Sequence, residues 1–112
     1  MLEIKKDEYI FRLGRNAKEN FELIDDSLEN DWWFHLDSYS SGHCVISHEK
    51  LEKFEITPEH KFFAGNLIKE HSKYKNEKNF LWKIIFTKIK NIVKTKTLGM
   101  VKLKEVDGFF II

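Results

Sequence analysis

The stretch Asp31-Trp32-Trp33-Phe34-His35-Leu36 decides the fold, and Ser40-Ser41-Gly42-His43 follows it after a short polar segment. Successive side chains of a strand point to opposite faces of its sheet. One face of a strand over 31–36 then carries Trp32, Phe34 and Leu36. This wholly apolar face suits a core. The opposite face carries Asp31, Trp33 and His35. A core tolerates such polar groups only when they are paired, so we look for function on this second face.

The rest of the chain predicts more strands and about two helices. Residues 2–13 alternate like a hairpin that ends at Gly14. Asn16 and Glu19 have the spacing of a capping box, and Thr57-Pro58 combines a capping hydroxyl with proline at the first helical position. The further predicted strands are 31–36, 43–48, 80–87, 100–104 and 109–112. The predicted fold is α+β, a single domain over 1–112 with a mostly antiparallel sheet.

Helical periodicity predicts which residues of each helix face the core. For the first helix the predicted buried stripe is Ala17, Phe21, Ile24 and Leu28. For the second it is Phe63, Leu67, Ile68 and His71. For the segment 91–97 we predict a loop or an irregular sheet edge, with Lys94 and Lys96 exposed.

Composition indicates an ordinary soluble protein with a formal net charge of +1. The N-terminus lacks a signal-peptide pattern, and no apolar run is long enough to span a membrane, so we expect no membrane partner. Cys44 is the single cysteine, which excludes a disulfide framework and favours a reducing, cytoplasmic location.

Charge is unevenly distributed along the chain. Acidic residues dominate 19–59, whereas 83–104 contains lysines and no acid. Such asymmetry is typical of proteins that bind nucleic acid or an acidic partner, although an AT-rich genome also enriches lysine. We predict phosphate contacts for Lys88, Lys90, Lys94 and Lys96.

His35 and His43 flank the predicted turn, and we expect their side chains to approach each other. With Asp31 they could supply metal ligands or an acid–base pair, or Asp31 could simply hold the turn in shape through hydrogen bonds. No three- or four-ligand zinc spacing and no oxyanion-hole motif accompany them. We therefore predict a binding or structural role, with no catalytic residue, metal or cofactor. Trp33 is predicted to be partly exposed, so that it or Tyr39 could stack on a base.

Gly14-Arg15-Asn16 precedes the first helix and suits an anion. Glycine permits a sharp turn, the first helical amides are unpaired, and arginine adds a planar donor fork. The alternative is ordinary helix capping.

Several short motifs occur in a fixed order along the chain. They are Gly14-Arg15-Asn16 with Asn20, Asp31-Trp32-Trp33-Phe34-His35, Ser41-Gly42-His43, Ala64-Gly65-Asn66-Leu67-Ile68, Ile84-Ile85-Phe86-Thr87 and Gly99-Met100-Val101. Together they resemble the NFACT-R domain, the RNA-binding module of NFACT proteins, and in particular its stand-alone members related to coiled-coil domain-containing proteins. The resemblance covers 9–112, although the helix around Ala64 is less alanine-rich than is usual in that family.

The resemblance implies a non-catalytic RNA-binding module for tRNA or rRNA, acting in translation or ribosome-associated quality control. The predicted nucleic-acid-binding residues are Arg15, Asn16, Asn20, Trp33, His35, His43, Lys88, Lys90, Lys94 and Lys96. Three alternatives stay open. They are a protein-interaction adaptor that docks on a protein or ribosomal partner through the acidic 19–59 stretch, a DNA-binding module, and a metal-dependent nuclease built on Asp31, His35 and His43.

Overall fold

Eight strands and two helices make up the computed structural model, which describes residues 1–112. The strands are β1 (Leu2–Lys6), β2 (Tyr9–Leu13), β3 (Trp32–Leu36), β4 (Cys44–His48), β5 (Lys83–Lys88), β6 (Ile92–Lys94), β7 (Val101–Leu103) and β8 (Gly108–Ile111). The helices are α1 (Ala17–Asp25) and α2 (Pro58–Glu70), and Ile89–Asn91 forms a 3₁₀ turn. No helix has the length and apolar character needed to cross a membrane.

Six strands form one sheet in the order β1-β2-β4-β3-β5-β8. Every neighbouring pair in this sheet is antiparallel. Strands β6 and β7 pair separately as a small hairpin. The prediction of an α+β fold with a mostly antiparallel sheet and two helices is confirmed.

Helix α2 covers one face of the sheet and encloses the larger core. Its Ala64, Leu67 and Ile68 pack in one cluster with the even-numbered residues of β3, as the alternation of that strand predicted. Phe34 and Leu36 are completely buried there. The wholly apolar face of 31–36 is therefore the core face.

Helix α1 and the β6–β7 hairpin cover the opposite face. Leu23 of α1, Trp33 and Val45 of the sheet and Ile89 form a second, smaller cluster, against which Val101 of the hairpin packs. The sheet is thus the middle layer of three, and β3 is buried on both sides.

The inward face of α1 differs from the predicted one. Asn20, Leu23 and Ile24 are its buried residues, whereas Ala17 and Leu28 are exposed. The helix ends at Asp25, so Leu28 lies beyond it. The predicted stripe was therefore wrong at Ala17 and Leu28.

Both helices begin at the predicted caps, although the Glu19 carboxylate accepts a hydrogen bond from the Arg15 amide and not from the Asn16 amide that a capping box requires. The Asn16 side chain accepts a hydrogen bond from the Glu19 amide, and Thr57 caps α2 with proline at the first turn. His71 caps the C-terminal end of α2 and is exposed, so its predicted place in the buried stripe was wrong. The segment 91–97 contains strand β6 rather than a loop alone.

Two leucines near each other in sequence test the orientation of α1. Leu23 is fully buried and Leu28 is 58% exposed. Leu23→Ala removes core contacts and leaves a cavity, so we expect it to lower the free energy of unfolding by about 2–5 kcal/mol. Leu28→Ala serves as the matched control and should change it by less than about 0.5 kcal/mol. Urea denaturation of both variants makes the measurement, and equal effects would contradict the placement of α1.

Candidate nucleic-acid interface

A cleft of about 680 Å³ opens on the face of the sheet that carries α1 and the hairpin. Its walls come from the start of α1, the β3–β4 connection, and the segment 98–103. Trp33 and His35 of β3 form its floor, with His43 beside them. The cleft thus joins motif-bearing segments that lie far apart in sequence, among them those of Asn20, His35, His43 and Gly99.

The strand register places His35 and His43 side by side. β3 and β4 pair Trp33 with Val45 and Phe34 with Cys44, so the next pair in the same antiparallel register is His35 with His43. Their ring centroids are 5.0 Å apart in an edge-to-face arrangement. The predicted approach of the two histidines across the turn is confirmed.

Trp33 stacks on His35, with ring planes 2° apart and centroids separated by 5.5 Å. His43 meets the Trp33 ring edge-on at 5.2 Å. Trp33 is only 1% exposed, so the prediction that it is partly exposed was wrong. The hairpin and α1 bury a residue that a bare sheet face would have left open.

Both imidazoles on the floor favour the uncharged form. Burial lowers the pKa of His35 to about 4, although the backbone of Leu36 and the carboxylate of Asp37 act in the opposite direction. Burial, and then the neighbouring His35, lowers the pKa of His43 to about 3. The floor is therefore aromatic and neutral near pH 7.

Asp31 does not join the two histidines. It lies four residues from His35 along an extended strand, a span of about 13 Å. Its carboxylate accepts hydrogen bonds from the Leu28 amide at 3.0 Å and from the Ser47 hydroxyl at 2.8 Å. No group of three potential metal ligands occurs in the structure. Asp31 is thus a structural residue, but the prediction that it holds the turn between His35 and His43 was wrong, because it ties the connection between α1 and β3 to Ser47 of β4 instead.

Asn20 fastens α1 to the β3–β4 connection. Its Oδ1 accepts a hydrogen bond from the His43 amide at 3.0 Å, and its Nδ2 donates to the Ser41 carbonyl at 3.5 Å. A Cβ at residue 14 would lie 2.3 Å from this Oδ1, so only glycine fits there. Asn20 is buried and engaged inside the protein, and it holds the His43 backbone in place.

Arg15 and Asn16 line the cleft, but Glu19 already contacts both, Arg15 through its carboxylate and Asn16 through its backbone amide. Glu19 accepts hydrogen bonds from the Arg15 amide at 3.1 Å and from its Nε at 3.2 Å. The hydrogen bonds from Arg15 lower the pKa of Glu19 to about 2. A phosphate at this helix end would share Arg15 with Glu19, since the guanidinium is half exposed.

The predicted lysines do not form one surface. Lys88 lies over the Trp32 ring on the α2 side of the sheet, at 5.2 Å from its centroid. Lys94 pairs with Asp25 of α1 on the other side. Lys90 and Lys96 are exposed, and only Lys96 is near the cleft in sequence, two residues before Leu98. They lie apart because the chain leaves the six-stranded sheet after β5, turns at Ile89–Asn91 and enters the separate β6–β7 hairpin. Their phosphate contacts stay a prediction.

Sequence reasoning missed several groups that line the cleft. Lys73 follows α2 and stands at the edge, and Leu98 and Met100 form an apolar wall that is more than half exposed. Tyr39 was not missed, since the sequence analysis named it beside Trp33 as a ring on which a base could stack, and it lines the cleft with 47% of its surface exposed. The Gly99-Met100-Val101 motif was the one indication in the sequence of this wall.

Basic side chains from elsewhere in the chain contact the acidic stretch 19–59. Glu19 pairs with Arg15, and Glu59 pairs with Lys6 at 3.2 Å. Asp25 pairs with Lys94. These ion pairs interrupt the continuous acidic face that an adaptor would present.

The fold and the cleft define a small α+β module with a polar rim and an aromatic floor. A family model described as the NFACT protein RNA binding domain matches residues 2–105. The chain belongs to this family, which confirms the resemblance seen in the sequence.

The similar curated proteins include coiled-coil domain-containing protein 25 of Mus musculus, 29% identical over 98 residues that make up 87% of this chain and 47% of that protein. The Bos taurus protein of the same name matches to the same extent. The chain therefore spans about half the length of these relatives.

A solved structure shows the same fold. The C-terminal part of the fibronectin/fibrinogen-binding protein from Streptococcus suis superposes with a TM-score of 0.80 at 21% sequence identity. The match covers 98% of this chain and 43% of that one.

Removal of the Asn20 side chain tests its role as a fastener. Asn20→Ala leaves the buried His43 amide without an acceptor, so we expect the free energy of unfolding to fall by about 1–3 kcal/mol. The matched control is Asn66→Ala on the exposed side of α2, which should have little effect. Chemical denaturation measures both, and hydrogen exchange at the His43 amide should accelerate only in Asn20→Ala.

The buried histidines predict an acid-sensitive fold. Their folded-state pKa values lie below the unfolded value of 6.5, so the unfolded chain binds more protons between the two values. The contribution of these uncharged histidines to the free energy of unfolding should be fully present above pH 6.5. It should fall towards about pH 4, by up to about 1.4 kcal/mol per pH unit for each histidine. Urea titrations across this range provide the measurement. His43→Leu should flatten the acid limb, exposed His71→Gln should not, and a flat wild-type profile would refute the assignment.

Proposed function

We propose that the chain binds unpaired RNA in this cleft, in the cytoplasm, as a non-catalytic module that contacts tRNA or rRNA on or near the ribosome. The family to which the chain belongs is an RNA-binding one. The observation that carries the proposal is the convergence of the family motifs around Asn20, His35, His43 and Gly99 on the walls of a single cleft.

The chemistry of the cleft suits single-stranded nucleic acid. Such sites combine aromatic side chains on which bases stack with cations that hold the backbone. Tyr39 supplies an accessible aromatic ring, and it packs against Phe80 at 4.9 Å, which fixes its position. Arg15 and Lys73 supply positive charge at two edges of the same cleft.

Binding agrees with the geometry better than hydrolysis does. The Ser41 hydroxyl donates to the Gly42 carbonyl and accepts from the Leu36 amide, so it serves the loop rather than a nucleophilic role. Asp31, which a nuclease would need beside His35 and His43, is bound to Ser47 instead.

A charge reversal inside the cleft tests the proposal. Lys73→Glu should weaken binding of tRNA and of a single-stranded RNA, and it should reduce the slope of log affinity against log salt by about 0.7 for one lost phosphate contact. Fluorescence anisotropy at two salt concentrations measures both quantities. A DNA strand of the same sequence, run in parallel, separates RNA from DNA binding.

The matched control is Lys53→Glu, an equal charge change at an exposed residue in the connection between β4 and α2. This connection lies at the end of β3 away from His35. Phe54, which follows Lys53, accepts a hydrogen bond at its carbonyl from the indole of Trp32, the first residue of β3. Equal losses in both variants would indicate a diffuse charge effect. Absence of salt-sensitive RNA binding in the wild-type protein would refute the proposed function.

A further inference from the structure

The floor of the cleft contains hydrogen-bonding groups that the protein does not use. His43 Nδ1 and Trp33 Nε1 are both buried and have no hydrogen-bond partner within the protein. Both residues are 1% exposed, and both line the cleft. Burying a polar group without a hydrogen-bond partner destabilises the fold, so the retention of these two groups calls for an explanation.

A neutral ligand fits this floor better than an anion does. Both imidazoles favour the uncharged form, and no cation stands between them. A phosphate pushed down to the floor would lose its hydration without gaining an opposite charge. An uncharged imidazole offers one donor and one acceptor nitrogen, and a half-turn of the ring exchanges its edges, so His43 can match either kind of group.

The walls above the floor suit a flat heteroaromatic ring. Leu98 is 55% exposed and Met100 is 60% exposed along one side, and they provide apolar surface. Ser38 and Ser40, both exposed in the β3–β4 connection, provide hydroxyls on the other side. Arg15 and Lys73 remain at the rim, where a charged backbone would stay in water.

The size of the cleft limits what can enter it. Its volume of about 680 Å³ is in the range of small-ligand sites. A base in a duplex must be unstacked and unpaired before it can enter such a site. For a base in a single strand this free-energy cost is much smaller. The cleft would therefore select unpaired nucleotides without reading a duplex.

We infer that the cleft takes up one unpaired nucleobase of the bound RNA, with the base against His35, the accessible ring of the Trp33–His35–His43 floor, and its phosphate at the Arg15 and Lys73 rim. This inference rests on the proposed function and adds the ligand: a single nucleotide unit held by its base. Affinity for RNA then depends on one base position as well as on charge.

The first experiment uses free nucleotides and no RNA. The four nucleoside 5′-monophosphates, with inorganic phosphate as the control anion, are titrated into the ¹⁵N-labelled protein. We expect the Trp33 indole and His43 ring signals to shift with at least one nucleotide and not with phosphate. Shifts with phosphate alone, or with none of the probes, would overturn the inference.

The second experiment replaces single bases of a bound RNA strand by abasic sites. One position should lose about tenfold in affinity, which is within the range for a stacked base, while the others lose little. Uniform binding at every position would overturn base uptake and leave the proposed function intact. If no RNA binds although a monophosphate shifts the floor signals, the proposed function fails and the nucleotide site stands.

Matched leucine variants locate the site. Leu98→Ser on the wall should weaken binding of the preferred monophosphate about fivefold, as expected for the loss of one apolar contact. Leu51→Ser changes an equally exposed leucine, 51% against 55%, in the connection between β4 and α2. Equal affinities of the two variants would contradict the assignment of the wall.

His43→Leu separates binding from stability. It replaces the imidazole and its unpartnered nitrogen by an apolar side chain, so at neutral pH we expect the free energy of unfolding to be unchanged or higher. Nucleotide binding should be lost in the same variant. A variant that is folded and still binds monophosphates like wild type would refute a role of His43 in the site.

Discussion

Burial of strand β3 on both of its faces is the constraint on which the rest of the structure depends. The even-numbered side chains enter the core under α2, and Trp33 enters the smaller core under α1 and the hairpin. A strand that is apolar on one face needs one covering layer. A strand whose second face carries Trp33 and His35 needs another layer that covers the indole and still leaves access to the imidazole. The cleft is the part of the second face that this layer leaves open.

The position of His43 follows from a few short contacts rather than from its own side chain. Gly14 donates its amide to the His43 carbonyl at 2.9 Å, and Asn20 accepts the His43 amide. A Cβ at residue 42 would lie 2.3 Å from the Gly14 carbonyl, so both glycines are required by close backbone approach. The end of β2, the start of α1 and the start of β4 are thereby held together. This junction sets the shape of the cleft wall and links the fold to the proposed binding of RNA.

Much of the fold could be predicted because its determinants are local. The alternation over 31–36, the cap at Asn16 and the Thr57-Pro58 helix start each depend on residues within a few positions of one another. The pairing of His35 with His43 also follows from a short connection and an antiparallel register. Burial of Trp33 could not be predicted in this way, since it depends on Leu23 and Val101, which reach it from distant segments. The separation of Lys88 from Lys94 likewise depends on where the chain leaves the sheet.

The sequence by itself determined both helices, every strand except β6, the apolar face of β3 and the family to which the chain belongs, because alternation, capping and motif order are properties of neighbouring residues. Only the tertiary structure decided which charges are free and which rings are accessible. Glu19 contacts Arg15, the hairpin covers Trp33, and Tyr39, Lys73 and Leu98 meet at one cleft. The physical reason is that burial and ion pairing arise between segments brought together by packing, and no local pattern encodes those distances.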